Sequence, residues 1–157
     1  MDFIQSENQI MISQMLRDFA EKEIKPFMKQ WDDDEYFPID TMKKLGDLGL
    51  LGIFIPEEYG GSGFSYDEYA SAIMELGKVC GGLGLSVAAH NSLCVGHIYY
   101  HGSEEQKLKY LPKLVSGDWI GAWGLTESNT GSDAMRMKTT AVKDGNDWII
   151  NGAKNWI

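Results

Sequence analysis

Near Asp118 the spacing of apolar residues changes from a period of 3.6 to a period of 2. No single element satisfies both periods, so the sequence divides into a helical part, residues 1–117, and the opening of a strand-built part, residues 118–157. The fold class expected is α+β: an amino-terminal all-α domain followed by the first strands of an antiparallel, barrel-like domain.

Three capping boxes punctuate the helical part. Ser6, Ser65 and Ser103 each precede a Gln or Glu by three residues, Gln9, Glu68 and Gln106, which pairs a hydroxyl with the orphan amides of a first turn. Behind the first box, Ile12, Met15, Leu16, Phe19 and Ile24 predict a helix to about Gln30. Pro38 opens a second helix carrying Met42, Leu45 and Leu48, which Gly46, Gly49 and Gly52 wear down into "LLGIFIP". "PEEYGGSGFS", residues 56–65, is turn chemistry. The third helix, from Ser65, carries Tyr69, Ile73, Leu76 and Val79 and ends at Gly81-Gly82. A nearly uncharged segment from Leu83 to Tyr100 predicts a helix covered by others on most sides, and the helix after Ser103 ends near Ser116-Gly117.

Beyond Asp118, "DWIGAWGL", "KTTAVK" and "DWIING" predict strands, with turns at Asp144-Gly145 and Asn151-Gly152, and "AKNWI" begins another. Strands that run out at Ile157 without a closing partner leave open edges, so a truncated chain is expected.

Charge removes one class of partner. With 14 Lys and Arg against 23 Asp and Glu, the net charge of −9 repels nucleic acid. No apolar run has the length of a membrane span, and the start lacks the basic flank of a targeting segment, so a cytoplasmic protein is expected. Cys80 and Cys94 fit neither a redox CxxC nor a metal cage and read as small buried hydrophobes. His90, His97 and His101 lie on or beside one apolar helix whose span, Leu83 to Gly102, has no carboxylate; they read as structural, and no metal site is expected. Nucleophile elbow, GxGxxG and phosphate-loop patterns are all missing.

What stands out is "GAWGLTESNTGSD", residues 121–133, followed after two turns by "GAKNWI", residues 152–157. Together with "IPEEYGGSG", "HNSLCVGHIYYHGSEEQKLKYLPKL" and "DGNDWIINGAKNWI", in order and in register over essentially the whole chain, they resemble the acyl-CoA dehydrogenase superfamily of flavoproteins. Ser128 and Asn129 stand where that family often has proline and glycine; the Thr-Glu and Gly-Ser-Asp around them are intact.

The resemblance implies FAD as cofactor and an acyl-CoA thioester as substrate. By similarity, Trp123, Leu125 and Thr126 border the isoalloxazine, Gly131 permits close backbone approach, and Ser132 meets the pyrophosphate region and the substrate's pantetheine arm. Trp156, with Ile157 beside it, would stack on the ring's far face. Ser86, Ala89 and Leu93 would face the acyl tail. Their helix has no Lys or Arg to pair an acidic tail, which points to a neutral aliphatic chain, short to medium or branched. The glutamate that removes the α proton lies, in that family, in a carboxy-terminal bundle beyond Ile157, so no catalytic residue is assigned; Glu127 reads as a structural hydrogen-bonding group. An electron-transferring flavoprotein as acceptor and a homodimer or homotetramer are implied as well. Two rival readings are an acyl-CoA oxidase, which passes electrons to oxygen, and a non-catalytic helical interaction module complete at 157 residues.

Overall fold

The computed structural model describes residues 4–157. All three capping boxes form, and each starts a helix. At the first, the Gln9 amide donates to Ser6 Oγ at 3.1 Å and the Ser6 amide donates to Gln9 Oε1 at 2.8 Å. Helix α1, Glu7–Glu23, turns Ile12, Leu16 and Ala20 inward at helical spacing. It ends earlier than the predicted Gln30. Pro26 lacks a donor and disfavours helical geometry at Lys25, whose amide reaches back to Ala20 O instead, and a separate short α2, Met28–Asp33, follows.

Helix α3, Ile39–Asp47, buries Met42 and Leu45 and gives way to a 3₁₀ turn at Leu50–Gly52. The apolar run after it, Ile53 to Ile55, is core. A second 3₁₀ turn, Glu57–Tyr59, leads into the glycine loop. There Gly60 has φ 87°, and a Cβ on Gly61 would lie 2.0 Å from the Ile55 carbonyl oxygen. That oxygen and the carbonyl carbon behind it, 2.5 Å from the same Cβ, are backbone and cannot swing aside as a side-chain tip would. Gly61→Ala is therefore expected to lower stability by roughly 2–3 kcal/mol, read as a reduced melting temperature.

Helix α4, Tyr66–Val79, packs on α1, where Arg17 bridges the buried Glu75 at 3.1 Å and Ser6 Oγ donates to Glu68 at 3.0 Å. Those bonds hold both carboxyls below their usual pKa, the largest cause being the Arg17 hydrogen bond at Glu75 and the Ser65 hydroxyl at Glu68.

The segment expected as one covered helix is three pieces: α5, Gly81–Ala88; a π-helical stretch, Ala89–Val95; and α6, Gly96–His101. The side chains of Asn91 and Ser92 take the Val87 and Ala88 carbonyls at 3.0 and 2.6 Å, in competition with the α ladder. One side of the segment is buried through Leu83, Val87, His90, Asn91 and Val95. The other is open: Leu85, Leu93 and Tyr100 are exposed, so low charge here does not mean cover on most sides. Cys80 and Cys94 are half-buried and unbridged, a correction to their expected full burial. Helix α7, Glu104–Val115, closes the helical unit, which runs to Ala122.

The second unit, Trp123–Ile157, contains an antiparallel hairpin of β1, Thr140–Asp144, and β2, Asp147–Asn151. The register runs from Thr140 opposite Asn151 to Asp144 opposite Asp147, around Gly145 at φ 60°. Two predicted strands are not formed. "DWIGAWGL" and "AKNWI" are irregular, because alternation alone makes no strand where no neighbour supplies a ladder. A helical domain followed by antiparallel strands is nonetheless the architecture. Among the described residues no helix is long and apolar enough to cross a membrane.

Candidate functional site

In the second unit the chain from Trp123 to Thr126 runs irregularly, then folds into a tight turn. The Glu127 amide donates to Thr130 O at 3.1 Å and the Thr130 amide returns a bond to Glu127 O at 3.0 Å, with Ser128-Asn129 as the exposed tip. This geometry directs the Glu127 side chain inward, where it is 7% exposed. One carboxylate oxygen accepts from the Lys138 amide at 2.7 Å, the other from the Thr139 amide and from Lys154 Nζ, each at 3.0 Å. The Thr139 hydroxyl lies beside the carboxylate, though outside hydrogen-bond geometry. That hydroxyl, the Lys138 amide and the Lys154 ammonium, in that order, bring the Glu127 pKa down to about 2. Its three hydrogen-bond partners are all donors, an environment that favours the charged carboxylate.

The final segment is tied to the same loop. Asn155 donates its amide to Thr126 O at 2.8 Å, and Lys154 Nζ donates to Leu125 O at 3.0 Å. Two stretches separated by some thirty residues of chain are thus held side by side, with a Cβ on Gly124 falling 4.0 Å from Ile157 Cγ1. Trp123, Leu125 and Thr126 are half-buried, whereas Gly131 and Ser132 are exposed. Trp156 is 93% exposed and sits at φ 61°, a left-handed conformation that bulky residues rarely take. Ile157 beside it is exposed too.

Of the residues expected around an acyl tail, one lies in a described groove and two lie outside it. Ser86 lines a groove of about 420 Å³ with Trp31, Tyr36, Phe37 and Leu83, its hydroxyl turned back to Gly82 O at 2.9 Å; Ala89 and Leu93 are not in that lining. Their expected alignment assumes 3.6 residues per turn, and the π-helical stretch that starts at Ala89 breaks the period.

Comparison with known proteins resolves what this architecture belongs to. A family described as "Acyl-CoA dehydrogenase, N-terminal domain" matches residues 6–118, and one described as "Acyl-CoA dehydrogenase, middle domain" matches residues 122–157. The chain belongs to the acyl-CoA dehydrogenase family. All 157 residues are 49% identical to a probable acyl-CoA dehydrogenase, YngJ, of Bacillus subtilis, and 46% identical to a short-chain specific acyl-CoA dehydrogenase of Clostridium acetobutylicum. The chain spans 41% of the length of each of these relatives. A solved acyl-CoA dehydrogenase of Bacillus anthracis in complex with FAD superposes with a TM-score of 0.91 at 35% identity, over 97% of this chain and 26% of that one.

In this acyl-CoA dehydrogenase chain, two residues outside those expected at the site, Lys154 and Asn155, tie its two stretches together. Both lie inside "GAKNWI" and were assigned no role from the sequence; the signal available was a lysine that could pair with Glu127, twenty-seven residues upstream. Among the described residues no cluster of three His, Cys, Asp or Glu side chains suits a metal ion. His90 sits in the core, where its Nε2–H donates to Leu51 O at 3.1 Å and its Nδ1 accepts the Gly121 amide at 2.9 Å.

Proposed function

We propose that the full-length protein binds FAD and dehydrogenates a neutral aliphatic acyl-CoA thioester between its α and β carbons. One observation carries the cofactor reading: the Gly124, Leu125 and Thr126 amides and the Thr126 hydroxyl take no partner among the described residues, beside the apolar surfaces of Trp123 and Leu125. A flat heteroaromatic ring with acceptors on one edge fits this donor set. Among the described residues a Cβ at position 131 would meet nothing within 4 Å; an approaching cofactor or pantetheine arm supplies a reason for glycine there. FAD, when bound, supplies the hydride acceptor.

The roles of this chain's residues follow. Thr126 and its neighbouring amides orient the ring's polar edge, Trp123, Leu125 and Trp156 with Ile157 exclude water from its faces, and Ser132 holds the pyrophosphate and pantetheine side. Ser86 borders the acyl tail, with Ala89 and Leu93 along the same segment. A short acyl chain is favoured by the Clostridium relative's specificity and by the want of a cation on α5 and α6. We divide the protein functionally into a helical domain, 1–117, and the start of a flavin-binding domain, 118–157. The two unbridged cysteines suit a cytoplasmic setting, with an electron-transferring flavoprotein as acceptor.

The test is spectroscopic. Purified full-length protein should show an oxidised flavin spectrum that bleaches anaerobically with butyryl-CoA and recovers on adding an electron-transferring flavoprotein; a colourless protein that takes up no FAD overturns the reading, and peroxide formed without that acceptor makes it an oxidase. Light scattering on the same sample distinguishes the homodimer from the homotetramer. Thr126→Val, which keeps the shape and removes the hydroxyl, is expected to weaken FAD binding about tenfold in a fluorescence titration.

A further inference from the structure

Lys154 ties together several parts of the loop. Its ammonium reaches three acceptors from three places in the sequence: Leu125 O at 3.0 Å, Glu127 Oε1 at 3.0 Å and Met137 Sδ at 3.4 Å. Its side chain is 25% exposed and that of Glu127 7%, so the pair is shielded from most solvent screening. The next residue, Asn155, donates its amide to Thr126 O, and the one after that is Trp156. Leu125 and Thr126 thus have both their carbonyls bonded to consecutive residues of the segment that ends in the indole.

We propose that Lys154 is a positioning residue that sets the separation between the Trp123–Thr126 stretch and Trp156, and with it the width of the flavin seat. The inference rests on the flavin reading above. An ammonium suits the task because it donates in three directions at once, and here a carbonyl, a carboxylate and a thioether take one each. It occupies the Leu125 carbonyl, while the Gly124, Leu125 and Thr126 amides of the same stretch donate to no partner among the described residues. Glu127 completes the arrangement: two backbone amides and the ammonium all converge on its carboxylate, so Lys154 is fixed by a group that is itself fixed. A lysine on the open surface would pay side-chain entropy for one weak pair; this one is aligned by three partners.

Lys154→Met keeps the length and apolar stem and removes the donors. In the full-length protein it is expected to weaken FAD binding on the order of tenfold and to blur the vibrational structure of the bound flavin's absorption band, with helical circular dichroism unchanged. Lys154→Arg should recover most of the affinity, because the charge and two of the directions survive. In a double-mutant cycle, Lys154→Met combined with Glu127→Gln should cost less than the sum of the two single changes. A Lys154→Met protein with parental affinity and spectrum overturns the proposal while the flavin reading stands; a parent that binds no FAD sinks the reading itself. If Lys154→Met loses affinity and Lys154→Arg loses as much, charge and direction are not what the seat requires, and the proposal fails on that result also.

Discussion

His90→Ala is expected to lower the unfolding free energy of the helical unit by about 4 kcal/mol, read from denaturant unfolding followed by helical circular dichroism. The ring is fully buried, and it joins two separate segments: Nε2–H donates to Leu51 O in the apolar run, and Nδ1 accepts from the Gly121 amide at the end of the unit. Truncation leaves a cavity and strands both backbone groups. His90→Phe refills most of the volume but leaves the same two groups unsatisfied, so it should fall at about half the cost, and the difference between the two variants separates packing from hydrogen bonding.

The same histidine gives the helical unit a pH signature. Burial lowers its pKa, offset in part by the Leu51 and Leu114 carbonyls. Its folded pKa is therefore below the unfolded value of about 6.5, and the stability that neutral His90 contributes is complete above that pH. As the pH falls below 6.5 the unfolded chain takes up a proton that the folded chain refuses, and stability declines by at most about 1.4 kcal/mol per pH unit until the folded pKa is reached. The phenylalanine variant should lose this slope.

The contrast between the two halves shows what sequence patterns can carry. Capping boxes are local chemistry among four residues, and all three, at Ser6, Ser65 and Ser103, start helices where expected. Helix ends were legible only where the local signal was read: Pro26 breaks α1, and the apolar spacing through Ile24 concealed it. The π-helical stretch is less accessible, because the competition of Asn91 and Ser92 for backbone carbonyls depends on Asn91 also reaching Leu50 O, forty-one residues away. Strands divide in the same manner. "KTTAVK" and "DWIING" find each other across a two-residue turn, whereas "DWIGAWGL" has the right alternation and no neighbour in these residues. The candidate site appears in the sequence as a pair of stretches in a family resemblance. What joins them, Lys154 and Asn155 to Leu125 and Thr126, is a long-range contact that periodicity does not encode.

Glu127→Ala is expected to have the largest effect on flavin content, lowering FAD affinity on the order of a hundredfold in the full-length protein, because three donors lose one common acceptor. The Lys138 and Thr139 amides and the Lys154 ammonium all converge on this carboxylate, so its removal frees the turn, the approach to β1 and the final segment together. Glu127→Gln keeps the shape but replaces one accepting oxygen by a donor that faces the ammonium or an amide, so its loss should be intermediate. Acid titration of the parent supplies an independent check. With the folded pKa near 2 and an unfolded value near 4.5, the stabilisation is fully present above about pH 4.5 and disappears as the pH falls from there toward 2. Flavin release from the parent should therefore be flat between pH 7 and about 5 and steepen below, and Glu127→Gln should already be weak at pH 7 with a shallower acid limb. A glutamine variant that releases flavin with the parent's acid profile would mean that other carboxylates, such as Glu68 and Glu75 in the helical unit, govern acid release, and that the turn holds its shape without the charge.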